Sequence, residues 1–170
     1  MKKTIVYLAA AFIALGLIVM GTLKVWDKQE NSGSPKSAEV SDEEAIEKST
    51  KKMDGLEFAQ SVPKDASEKA LLAMMHKMTH QKIVASEKWG LIRMNEESIA
   101  KAKGILMDSD FNSKDDLLEI IGRWENGQFA QVDEDHNFIW GLQGGSIGRA
   151  TGILSEQQEQ QFIENNFAAE

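Results

Sequence analysis

Cysteine is absent from the whole 170-residue chain. Its absence excludes disulfides, disulfide-linked partners, thiolate metal sites, a cysteine nucleophile and a lipid-modified cysteine, because each needs a sulfur atom. Proline occurs only twice, which excludes an extended proline-rich linker protein. No segment repeats at the periods that mark solenoids or propellers. Positive charge is scarce once the first residues are passed. Lys2, Lys3 and Lys24 are the only charged side chains before Asp27, so residues 27–170 hold 16 basic and 27 acidic side chains, a net charge of -11. A surface of that sign repels phosphate backbones and anionic headgroups, so nucleic acid is excluded as a partner.

Against these absences stands one long apolar run. From Ile5 to Leu23, "IVYLAAAFIALGLIVMGTL" continues for 19 residues without a charge, close to the roughly 20 residues an apolar helix needs to span a hydrocarbon core. Tyr7 and Trp26 stand near its two ends, where amphipathic rings favour the headgroup region. A cleaved signal peptide would have a shorter apolar run and a small-residue exit, whereas the exit here reads "VMGTLKVW". The expectation is residues 1–3 in the cytoplasm and residues 4–26 as a retained transmembrane signal-anchor that meets the lipid bilayer. Lys2, Lys3 and the amino terminus favour the inner side, which leaves the carboxyl-terminal part extracytoplasmic.

Residues 27–55 are polar, rich in serine and charge, and read as a flexible tether, because such a stretch buries too little to offset its chain entropy. A short helix after Ser41 is compatible with Asp42, Glu43 and Glu44 in a first turn, although no apolar stripe holds it to anything. Residues 56–170 then change to short amphipathic helices. "SEKALLAMMHKMTHQK" opens near Asp65 or Ser67 and places Leu71, Met74, Met75 and Met78 on one stripe. "NEESIAKAKGILM" starts on Asn95. "SKDDLLEIIGRWENG" starts on Ser113, aligns Leu117, Leu118, Ile121 and Trp124, and stops at Gly127. "QFAQVDEDHNFIWGLQ" forms a fourth helix, and in "SEQQEQQFIENNF" Ser155 and Gln158 make a capping box. No stretch alternates long enough to require a sheet. The expected class is therefore all-α: an N-terminal transmembrane helix, a flexible tether and a small globular helical domain.

Two groups of residues carry candidate chemistry. In "HKMTH", His76 and His80 lie four residues apart on one helix face, a spacing that can chelate zinc. The glutamate that serves as base in H-E-x-x-H peptidases is replaced by Lys77. His136 is the one further histidine; folded over, it would complete a three-histidine metal site, with Glu134, Asp135 or water as fourth ligand. The competing reading leaves His80 solvated opposite the methionine stripe, His76 beside Leu72 at the edge of the core and bonded to a neighbouring backbone, and His136 buried or half-buried in line with Phe129, Val132 and Trp140 with its nitrogens satisfied internally. The second group is "GLQGGSIGRATG", where Gln143, Gly144, Gly145, Gly148 and Arg149 form a candidate ligand or partner loop. A phosphate loop would need a lysine and a preceding strand, and both are missing. As a structured turn the loop would pass tightly by Trp140, with Asn137 and Gln143 bonding its backbone. Trp89, Trp124 and Trp140 read as core anchors.

"MHKMTHQK", "KWG" and "DHNFIWGLQGGSIGRATGILS" together resemble a family of membrane-anchored proteins of unknown function from bacilli. The resemblance covers the C-terminal part of the chain. It implies an anchored helical domain and carries no catalytic residues. Taken together, the expected function is a membrane-anchored, extracytoplasmic binding or interaction protein in the cell envelope, more a partner-binding domain than an enzyme and with no resident cofactor. The alternative is a zinc-binding or zinc-dependent protein built on His76, His80 and His136.

Overall fold

The computed structural model describes residues 42–167. The expected cytoplasmic residues, the apolar span at 4–26 and the tether up to residue 41 lie outside the described residues. Among the described residues, no helix is long and apolar enough to cross a membrane.

Six α-helices account for most of the described chain: α1 Asp42–Thr50, α2 Glu68–Thr79, α3 Glu96–Met107, α4 Lys114–Glu125, α5 Val132–Leu142 and α6 Glu156–Phe167. Their starts follow local chemistry. Ser67 caps α2 by accepting from the Ala70 amide. Asn95 and Ser98 satisfy each other's amides at the start of α3, and Ser155 and Gln158 do the same before α6. Each pair supplies acceptors to amides that have no partner within the helix. Ser113 departs from its expected capping role, because its hydroxyl and amide both donate to the Glu68 carboxylate, which ties the start of α4 to the start of α2.

The main core forms where α3 packs on α4 and α2 packs on α5. Leu71, Met74, Met75 and Met78 of α2 meet Ile99, Ala102, Ile105 and Leu106 of α3, Leu117, Ile120, Ile121 and Trp124 of α4, and Ile139 of α5. Flexible methionines fill the irregular centre where the helices converge. A smaller cluster joins Leu91, Leu154, Phe162 and Phe167. Trp124 is the core anchor expected of it, but Trp89 is 64% exposed and Trp140 only half-buried.

α1 corrects the expectation of an unattached tether helix. Ser49 is fully buried, where its hydroxyl donates to the Ala85 carbonyl and accepts from the Ala85 amide, both at 3.0 Å. Asn165 of α6 donates to the Thr50 carbonyl at 2.8 Å. The helix is thus held by directed polar bonds that no apolar periodicity signals, and the folded part begins before residue 56. Lys88 adds to this attachment, since its ammonium donates to the carbonyls of Ser49 and His80, each at 2.8 Å. Burial pushes its pKa down to about 7.

A short antiparallel pair also departs from the all-helical expectation. Ile83–Val84 (β1) pairs with Gly152–Ile153 (β2), Ile83 opposite Ile153 and Val84 opposite Gly152. Two-residue strands are too short to leave an alternating pattern. Their effect is positional: the pair fastens the segment after α5 alongside the segment after α2.

Asp135 is a buried charge with defined partners. It accepts from Arg123 Nη2 at 2.6 Å and from the Trp124 indole at 2.8 Å. Asp135→Ala leaves a largely buried guanidinium and an indole N–H short of an acceptor, so urea unfolding should show a loss of about 3 kcal/mol. Glu119→Ala, which removes the solvent-side partner of the same arginine, should cost less than about 1 kcal/mol.

Candidate metal centre

Helix geometry brings the first two histidines together. His76 lies in the last turn of α2 and His80 is its C-cap, so the rings share a face, with centroids 4.9 Å apart. Packing of α2 on α5 supplies the third. His136 is fully buried, and its ring centroid lies 4.4 Å from that of His76 and 5.7 Å from that of His80. One ligand nitrogen from each residue falls within 4.8 Å of the other two. Ligands on one tetrahedral zinc ion stand about 3.3 Å apart when each bond is 2.0–2.1 Å.

His80 corrects the expectation of a solvated ring. It is 2% exposed, because the chain returns over the end of α2 and the Gly90 carbonyl accepts from His80 Nδ1 at 2.7 Å. That bond places the His80 proton on Nδ1 and leaves Nε2 as a lone pair. His76 is held in the same sense, since its Nδ1 bonds the side-chain oxygen of Gln143 at the end of α5. Gln143 therefore contacts the histidine rather than bonding the backbone of its own turn; Asn137 does that, pairing with the amide and carbonyl of Ala150.

The surroundings of His136 contain one hydrogen too few. Thr79 Oγ1 lies 2.6 Å from the His76 carbonyl and 2.8 Å from His136 Nδ1, and His136 Nε2 lies 3.2 Å from the Gly148 carbonyl. A threonine hydroxyl and a neutral imidazole supply two hydrogens for these three contacts. A second ring proton would supply the third, but burial, with the neighbouring charge of His76, pushes the His136 pKa down to about 3. The Gly148 carbonyl can only accept, so His136 Nε2–H donates to it, and the Thr79 hydroxyl shares its hydrogen between the His76 carbonyl and His136 Nδ1. His76 and His80 thus keep Nε2 as a lone pair, whereas both nitrogens of His136 are engaged and an ion would have to displace one of its two bonds.

No carboxylate belongs to this group. Asp135, expected as a fourth ligand, is engaged by Arg123 and Trp124, and Glu134 lines a different pocket beside Asp116 and Arg123.

The candidate glycine loop closes over the histidines. His76, His80, Glu87, Trp89, Trp140, Gln143 and Gly144–Gly148 line a cleft of about 230 Å³. Two glycines are required by space. A Cβ on Gly145 would stand 2.2 Å from the Trp140 indole, and one on Gly148, at φ +86°, would stand 2.7 Å from the Glu87 carbonyl. Trp140 Nε1 also donates to the Ile147 carbonyl at 2.8 Å, which pins the lip of the cleft. The expected passage of the loop against Trp140 is present. Arg149 is exposed and lies outside the cleft lining.

Reasoning on the sequence missed Glu87 and Ser146. Glu87 had no signal beyond its closeness to Trp89. Ser146 did have one, since "GGSIG" has the G-x-S-x-G spacing of a nucleophile elbow. The structural context of an elbow is absent, because Ser146 follows a helix rather than ending a strand that feeds one.

Fold and site together define a small, mostly helical domain with three converging buried or half-buried histidines, of which His76 and His80 line a cleft. The chain belongs to a family of unknown function (DUF6241) that matches residues 75–164, a span that holds all three histidines and the loop. No curated protein and no solved structure matches it.

Burial lowers the pKa of all three rings, well below the ordinary 6.5 for His80 and to about 3 for His136. Below about pH 6.5 the unfolded chain takes up protons that the folded chain refuses, so stability falls as pH drops toward the folded values. Urea midpoints should decrease between about pH 7 and pH 5, and the decrease should be smaller in His136→Gln. An equal decrease in both proteins would contradict neutral burial of His136.

Proposed function

We propose that this domain binds a divalent transition-metal ion, zinc by ligand type, through Nε2 of His76 and His80 and one ring nitrogen of His136. The observation that carries the reading is the convergence of three imidazoles, one ligand nitrogen of each within 4.8 Å of the other two. Three histidines with an open fourth position are a common zinc arrangement. Residues 4–26 supply a membrane anchor in this reading, so the site stands on the outer side of the cell membrane at the end of a polar tether. Resemblance to anchored proteins of bacilli supports the same placement.

A second reading, binding of a protein partner, is favoured by one further feature. A groove of about 790 Å³ beside the cleft is lined by Leu72, Ala73, Phe138 and Leu142, with Glu68, Lys69 and Asp116 among its polar lining residues. The two readings share a single picture of an anchored binding domain.

Isothermal titration of the full-length chain in detergent with Zn²⁺ should give one saturable site. His80→Ala should weaken it by more than about 100-fold, since a directly bonded ligand matters more than its outer partner. Absence of a saturable site, or equal affinity in His80→Ala, would overturn the reading. Thr79→Val, which removes the hydroxyl bonded to His136 Nδ1, should weaken zinc by about 10- to 100-fold, and Thr79→Ser should restore it.

A further inference from the structure

We infer that the fourth coordination position is taken by the carboxylate of a small molecule from outside the chain, one with a flat or apolar body that lies in the cleft. The inference rests on the three-histidine metal reading.

Charge balance gives the sign of the ligand. Three neutral imidazoles leave both charges of the ion uncompensated, and a bound cation dominates its local field. Glu87 is the acidic residue among those lining the cleft, yet its carboxylate is outside the ligand group. Glu87 offsets one charge from a distance and leaves room for one more. A singly charged carboxylate fits that balance better than a doubly charged phosphate.

The lip of the cleft supplies a donor. Among the described residues, the amide of Gly148, a buried residue that lines the cleft, donates to no protein group. Buried amides are normally paired, so a donor left over beside a candidate ion is suited to a ligand oxygen. Gly145 against Trp140 and Gly148 against Glu87 fix this lip in advance.

The walls give the rest of the ligand. Trp89 and Ile147 are exposed at 64% and 56%, and Trp140 is also among the lining residues. Exposed aromatic and apolar side chains beside a polar base suit a molecule with one charged end and one flat apolar end. A volume of about 230 Å³ equals the space of roughly eight water molecules, enough for a small acid and too little for a folded partner.

The test uses the full-length chain in detergent loaded with Co²⁺, whose visible bands report the ligands around the ion. Bands should appear on adding Co²⁺ alone. Benzoate should then shift them saturably, acetate should need about tenfold more because it lacks the ring contact, and inorganic phosphate should be weaker than benzoate. Trp89→Ala should bring benzoate close to acetate; its side chain is largely exposed, so folding is retained. Bands that appear with Co²⁺ and ignore benzoate would overturn this inference and leave the metal reading standing. Equal responses to benzoate and acetate in the wild type would overturn the apolar-body part of it, and a failure of bands to appear would overturn both readings.

Discussion

Three imidazoles share one small space in this domain, and burial disfavours their charged forms. His76, His80 and His136 lie within ring contact of one another, and adding protons there would set like charges side by side in a poorly hydrated site. Each ring has its Nδ1 bonded, and His136 bonds the Gly148 carbonyl through Nε2 as well. Gln143, Gly90 and Thr79 take the three Nδ1 positions, and they come from the end of α5, the loop after β1 and the last turn of α2. The histidine cluster therefore joins α2, α5 and the two connecting segments at one point, with β1 and β2 holding those segments in place.

Much of the architecture was legible because it is local. Ser67, Asn95 and Ser155 mark helix starts through bonds made within a few residues, and Leu71, Met74, Met75 and Met78 share a face set by the helical period alone. The i, i+4 relation of His76 and His80 is of the same kind. What lay beyond reach was long-range. Nothing near His136 in sequence states that α5 will lie on α2, and nothing near Ser49 states that Ala85, 36 residues away, will bond it. Trp89 shows the same limit in reverse, since its indole composition suggests burial while the fold leaves it on the rim of a cleft.

The candidate loop and the candidate histidines were two separate features in the sequence, and the structure makes them one site. Gly148 contributes to both: its carbonyl faces His136 Nε2, and its missing Cβ lets the loop pass Glu87.

Zinc-edge X-ray absorption of the zinc-loaded full-length chain tests the central claim most directly. The account predicts a shell at about 2.0–2.1 Å with the outer-shell scattering of three imidazole rings. A shell of oxygen atoms with fewer than three imidazoles would contradict it.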